Sequence, residues 1–344
     1  MSKKIINMMS SATKVSGQGV GSAYLEQVDL VKTGLSEDFE VTINQYKPAD
    51  ITHYHTIDPQ FYLTKPWFTR KGMSVGYVHM LPETVEQSLQ LPGFAKKIFY
   101  KYMIAFYKKM DYLVTVNPYF IGELARYGVP KEKVTYIPNF VSSQTFHPLT
   151  AEEKAANRDQ YGFAQADFLI VGVGQIQTRK GVFDFLKMAE RLPHYKFVWA
   201  GGFSFGKITD GYEELKKVVD NPPANVTFLG IVERERMNAI YNLADVMILP
   251  SFEELFPMSI LEAMCTHKPI LLRDLEIYED ILFDFYRRAE DLEGFVDQIE
   301  KLATDSNYYQ QAVADAQRGN EFYSREHVLE MWQEFYEKVS PKKD

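Results

Sequence analysis

The sequence of 344 residues contains one cysteine, Cys265. A lone cysteine closes no intrachain disulfide, and no Cys/His grouping has the spacing of a zinc site. No stretch approaches the ~20 consecutive apolar residues that span a bilayer. The first ten residues carry only a short apolar run before Ser, Thr and Gly take over, which is not the pattern of a secretory signal. These absences lead us to expect a reducing, cytoplasmic compartment. No Asp-x-Asp occurs anywhere, so an obligatory metal–diphosphate site of that kind is not supported. Basic residues are outnumbered 38 to 46, a net charge of −8, which makes general nucleic-acid binding a poor fit.

What is present describes an ordinary globular protein with 46% hydrophobic and 24% charged residues. The length exceeds the usual size of one core, so two domains are expected, with the border at 140–165. Charge is unevenly spread. Residues 1–140 hold 16 Lys and Arg against 12 Asp and Glu, net +4, which leaves 22 against 34, net −12, for the rest. A basic half on an acidic protein is suited to an anionic surface.

Lys3 to Met9 reads as a short buried strand, Ser16 to Gly21 as a glycine loop, and about Ser22 to Val31 as a helix. Strand, glycine loop and helix let backbone approach a phosphate or sugar. The spacing is not the dinucleotide G-x-G-x-x-G, and no acidic partner clearly closes a second strand. His53 and His55 end the next strand; an i, i+2 pair is half of a metal site with nothing to complete it. Met73 to Met80 reads as a strand that delivers His79 to a loop. Phe168 to Gly174 begins the second half, followed by Gln175 to Gly181 with Arg179 and Lys180 at a glycine turn before a helix. That cationic pair suits a diphosphate. Strand, loop and helix alternate through both halves, which predicts two parallel sheets covered by helices, with ligands at the carboxyl ends of strands.

Leu91 to Val114 predicts an amphipathic helix. Ile98, Phe99, Tyr102, Met103, Phe106 and Met110 share one face, Lys96, Lys97, Lys101 and Lys108 the other, and Lys109 breaks the segregation. This is the composition of a membrane-surface helix, and equally of a core helix with a solvated back. Trp67 and Phe68 between Lys65 and Arg70-Lys71 add aromatics beside cations, as at a headgroup layer.

The most telling stretch is Ser251 to Pro269, SFEELFPMSILEAMCTHKP, after a strand over Val246 to Pro250. Glu254 and Glu262 stand eight apart, so on one helix they would lie about 80° from each other. A helix start also presents free N–H groups to an anion. The segment resembles the signature of the retaining glycosyltransferases of family 4, and the Phe168–Gly181 stretch strengthens the resemblance. It implies a GT-B fold, two Rossmann-like parallel-sheet domains facing a cleft. An N-terminal acceptor and membrane-facing domain would cover 1–150 and a donor domain 151–320. A C-terminal helix over 321–344, centred on the amphipathic Ser324 to Val339, would cross back to the first domain.

By the same resemblance the donor is gripped by Gly19, Gly21, Gln175, Arg179, Lys180, Glu254, Phe256, Pro257, Met258 and Glu262, with Glu254 on the sugar and Glu262 on the ribose diol. Gln175 stands where the family usually has Arg, which puts that phosphate contact in doubt. His79, Glu254 and Lys180 are the catalytic candidates, His79 lying against the transferred sugar. Retention by double displacement would need a nucleophilic carboxylate, and the first half offers no well-placed one. The family is thought to use same-face substitution, with the diphosphate as internal base.

INMMSSATKVSGQGVGSAY, DITHYHTID and YVHMLPET further resemble glycolipid synthases of low-GC Gram-positive bacteria, which extend α-glucosyl-diacylglycerol by a hexose to give a lipoteichoic acid anchor. The resemblance implies a UDP-hexose donor, galactose before glucose, and no cofactor or obligatory metal. It implies a glycolipid acceptor and a peripheral, monotopic enzyme at the cytoplasmic face of an anionic membrane. Trp67, Phe68, Lys96, Lys97, Phe99, Lys101, Phe106, Lys108 and Lys109 would meet that surface. A soluble UDP-sugar transferase acting on a protein or cell-wall saccharide keeps every donor motif and is the alternative.

Overall fold

The computed structural model describes residues 3–11, 19–70, 72–82, 93–203, 206, 209, 211–254 and 256–341. The chain divides into two compact units, Met1–Phe140 with Arg325–Asp344, and Val141–Ser324.

The first unit is built on a parallel sheet of β1 (Lys4–Met9), β2 (Phe39–Ile43), β3 (Ile51–Tyr54), β4 (Met73–Val78), β5 (Tyr112–Thr115) and β6 (Val134–Tyr136), in the order β2-β1-β3-β4-β5-β6. The strands read as short apolar runs because helices cover both faces of such a sheet. Chain order reverses between β1 and β3, and open parallel sheets bind ligands at that switch point, beyond the strand carboxyl ends. The glycine-loop residues 12–18 lie outside the described residues. Gly19 and Gly21 fall in the first turn of a helix over Gly19–Gly34.

The second unit repeats the plan with β7 (Leu169–Val173), β8 (Lys196–Ala200), β9 (Val226–Gly230), β10 (Val246–Leu249), β11 (Ile270–Arg273) and β12 (Arg287–Ala289), ordered β12-β11-β10-β7-β8-β9. Its switch point is between β7 and β10, the strands that lead to Lys180 and to Glu254. The core under this sheet includes Phe185, Phe197 and Trp199, with Trp199 edge-on to Phe185 at 5.0 Å.

The basic amphipathic stretch forms a helix over Gly93–Lys109. It does not turn its whole apolar face outward. Met103, Phe106 and Tyr107 are buried, and the Phe106 ring packs against Tyr54 and Tyr62. Its first turns instead leave Phe94 and Ile98 bare, 73% and 64% exposed. On the helix Pro59–Phe68, Phe68 is buried against Tyr46, whereas Leu63 and Trp67 are 68% and 71% exposed. Phe68 and Phe106 are therefore core residues and cannot meet a membrane. Periodicity marks an apolar face without saying whether a sheet or a bilayer covers it. Lys109 is also committed within the unit, donating to the Tyr62 carbonyl at 2.7 Å with its ammonium over the Tyr62 ring.

Phe106→Ala should therefore destabilise the protein by about 3–5 kcal/mol, as expected for a buried phenylalanine. Phe94→Ala should change stability by no more than about 0.5 kcal/mol. Urea denaturation of the two variants checks this division, and equal losses would contradict it.

Candidate active site

In the second unit, β7 ends in a loop that reaches a short 3-10 turn over Thr178–Lys180 and then Gly181. Gly181 takes the left-handed conformation (φ 70°), and an added Cβ would sit 2.1 Å from the Pro250 carbonyl oxygen. Only glycine lets the β7 loop lie so close to the end of β10. Phe252 N–H donates to the Arg179 carbonyl at 2.8 Å, and Arg179 donates to the Glu253 carbonyl at 3.3 Å. Arg273, itself buried, donates to the Pro250 carbonyl and pairs with Asp184 at 2.6 Å. The two loops are thus fastened from above and below.

This brings Lys180 and Glu254 into a direct ion pair with both side chains largely buried. Burial pushes the Lys180 ammonium down, the Glu254 carboxylate beside it pulls it back up, and Arg179 adds to the lowering. Glu254 is not on the helix, which begins only at Met258. A residue before proline is steered away from helical backbone, and Pro257 itself sits extended (ψ 128°) as the cap. The 80° relation between the two glutamates therefore does not apply. Phe256 is buried against Tyr323, so its ring is not free for a ligand. Pro257 and Met258 are half-buried at the helix entry.

Glu262 lies on that helix, buried, and is held by two residues that no local motif points to. Tyr241 donates to one carboxylate oxygen at 2.7 Å, and Arg234 to the other at 3.0 Å. Burial, and then the Glu262 charge, raises the Tyr241 hydroxyl well above its ordinary range, so it remains a donor. Gln175 accepts from the Gln177 side chain at 2.9 Å and adds no charge to the β7 loop.

In the first unit, β1, β3 and β4 end around a cavity of about 270 Å3 lined by Ser11, Thr56, Asp58, His79, Met80 and Tyr107 among others. His79 lines it half-buried, its Nε2 shielded from solvent and, among the described residues, without a protein partner. Its ring stacks on Tyr77 at 4.3 Å, with His53 on the other side of Tyr77 at 5.7 Å. His53 and His55 are wholly buried, with His53 Nδ1 2.8 Å from the Tyr336 hydroxyl. Trp332, from the same C-terminal helix as Tyr336, packs on His53. Burial pushes His53 down to about 3 and His79 down to about 4, and holds His55 well below the ordinary range. All three are neutral imidazoles. Asp58 puts a carboxylate on this cavity that the sequence reading did not single out.

A family model described as Glycosyltransferase Family 4 matches residues 39–145, and one described as Glycosyl transferases group 1 matches 153–319. The alpha-galactosylglucosyldiacylglycerol synthase of Streptococcus pneumoniae strain R6 is 47% identical over 97% of this chain and 89% of its own length. The chain belongs to glycosyltransferase family 4. A second relative, the processive diacylglycerol alpha-glucosyltransferase of Acholeplasma laidlawii, is 24% identical over 81% of each chain. The crystal structure of Anabaena HepE in complex with UDP and glucose matches with a TM-score of 0.75 at 14% identity, covering 98% of this chain and 100% of that one. The architecture is accordingly the GT-B fold of glycosyltransferases. Among the described residues, no group of three or more His, Cys, Asp or Glu forms a metal site. No helix among them is long and apolar enough to cross a membrane.

The three neutral histidines predict a pH effect. Unfolded, each protonates with a pKa of about 6.5, whereas in the folded chain His79 and His53 are lowered to about 4 and about 3 and His55 lies well below its ordinary range. Acid therefore favours the unfolded chain. The contribution is full above pH 6.5 and is lost as the pH falls toward 4, by about 2 kcal/mol for each of His53 and His79 between pH 7 and pH 5. Carboxylates held below their ordinary range, such as Asp111, act only at lower pH. Denaturant midpoints at the two pH values, at fixed ionic strength, should show this loss, and His55→Gln should reduce it.

Proposed function

We propose that the protein transfers a hexose, galactose, from a UDP-sugar to α-glucosyl-diacylglycerol with retention of configuration. The product is a diglycosyl-diacylglycerol, and the enzyme works at a membrane surface. The observation that carries this reading is the 47% identity, across nearly the whole chain, to a synthase named for that lipid. The second unit supports it chemically. Lys180 and Arg179 neutralise the departing diphosphate, Glu254 orients the transferred sugar, and Glu262 takes the ribose diol. In a same-face substitution the bond from the anomeric carbon to the phosphate oxygen breaks as the bond to the acceptor oxygen forms. The acceptor hydroxyl proton passes to the departing phosphate. A glucose donor on the same lipid is the second reading, favoured by the likeness to the alpha-glucosyltransferase.

The membrane reading rests on side chains that have no structural use. Leu63 and Trp67 on one helix, and Phe94 and Ile98 on another, are i, i+4 apolar pairs left bare. Lys97, Lys101 and Lys108 are exposed on the second of these helices and line a cavity of about 500 Å3 with Tyr100, Ile104 and Tyr127. Each lysine near an anionic leaflet contributes about 1 kcal/mol.

Radiolabel transfer from UDP-galactose or UDP-glucose to α-glucosyl-diacylglycerol in anionic liposomes tests the activity. One donor should give a labelled diglycosyl lipid, and Glu254→Gln should abolish it. Hydrolysis of the UDP-sugar with no lipid product from either donor would sink the acceptor assignment. In a separate vesicle co-sedimentation test, replacing Lys97, Lys101 and Lys108 together by Gln should weaken binding on the order of 100-fold. Unchanged binding would place the membrane contact elsewhere.

A further inference from the structure

We infer that Asp58 seats the acceptor, its open carboxylate oxygen taking a hydrogen bond from a hydroxyl of the acceptor hexose; the inference rests on the glycolipid reading above. Asp58 occupies the cap position of the helix Pro59–Phe68, where an aspartate ordinarily bonds to backbone N–H groups. Its side chain makes no such bond. It turns instead toward the cavity, where Ser11 donates to Oδ2 at 2.9 Å and the Thr56 hydroxyl donates to the same oxygen. Among the described residues Oδ1 has no donor. Two hydroxyls, from the loops after β1 and β3, thus fix one carboxylate oxygen and leave the other for a ligand.

The cavity is built for a neutral polyol. Among the described residues no Lys or Arg lines it, and Asp58 would repel a diphosphate. A carboxylate acceptor, the buried and unpartnered His79 Nε2, and the apolar surfaces of Met80 and Tyr107 match the mixed polar and aliphatic surface of a sugar. The volume is worth about nine waters at ~30 Å3 each, the scale of one monosaccharide.

The neighbours of Asp58 favour the acceptor sugar over the donor's. Lys180, Glu254 and Glu262 belong to the other unit. Asp58 opens the helix that bares Leu63 and Trp67. Tyr102, on the lysine-bearing helix, donates to the Ile57 carbonyl at 2.6 Å and ties that helix to the same loop. A sugar presented on a lipid would come to this loop.

The test is transfer kinetics of the full chain with Asp58→Asn, varying the glycolipid and the UDP-sugar in turn and following UDP-sugar hydrolysis without acceptor. The acceptor KM should rise on the order of 10- to 100-fold, as expected for loss of a hydrogen bond to a charged group. The UDP-sugar KM and the acceptor-free hydrolysis should not change. An unchanged acceptor KM, a parallel rise in the donor KM, or a glycosyl adduct on Asp58 seen by mass spectrometry would overturn the assignment. If Asp58→Asn does not fold, Ser11→Ala removes one of the two hydroxyls that orient the carboxylate. It should raise the acceptor KM several-fold, and no rise would overturn the inference. Failure of the glycolipid reading is distinguishable, because the unmodified enzyme would then make no lipid product at all.

Discussion

A lysine that must meet a diphosphate has to stay charged where burial favours its neutral form. On the proposed function, that conflict would be resolved in this protein at the Lys180–Glu254 pair. The desolvation of two buried charges is offset only when the geometry is fixed. The fixing is visible: the left-handed turn at Gly181 against the Pro250 carbonyl, the Phe252 bond to Arg179, and Arg273 beneath Pro250. Each element joins the β7 loop to the β10 loop across the switch point of the sheet. A cation held this way needs no reorganisation when a leaving group develops charge, which is where electrostatic catalysis draws its strength.

The first unit applies the same sheet geometry to the opposite chemistry. Its switch point gathers neutral imidazoles, hydroxyls and one carboxylate, and among the described residues no cation lines its cavity. Burial of the histidines is what makes them neutral, and neutrality is what allows them to stack with Tyr77 and Trp332 without a counter-charge. The C-terminal helix takes part in this arrangement through Tyr336 and Trp332. On the proposed function, one unit would take the anionic part of the donor and the other a neutral polyol.

Most of the strands were readable, because a strand buried on both faces shows itself as an apolar run such as FLIVGVG or VMILP. The Arg179-Lys180-Gly181 turn was readable for the same reason that it works, since it combines local charge with a local glycine. What failed was whatever depended on distant residues. Ser11 meets Asp58 across 47 positions and Arg234 meets Glu262 across 28, and neither leaves a mark on its neighbours. Phe68 and Phe106 misled because a core face and a membrane face have the same periodicity. Glu254 misled because an eight-residue spacing fits a helix, whereas that helix starts only at Met258, four residues later, behind the Pro257 cap.

The split of charge along the chain has a physical reading on the proposed function. The half that would bind the nucleotide is the acidic one, net −12, so the protein's overall field does not draw the donor in. Capture must then be local, within the ~8 Å over which charges are felt at physiological salt. On the proposed function Arg179 and Lys180 would supply it there. Among the described residues no cation lines the cavity of the basic half. Its excess positive charge includes the exposed lysines of Gly93–Lys109, beside apolar side chains that are mostly exposed. Long-range charge would thus be used on the membrane and short-range charge on the donor, and the two need not compete.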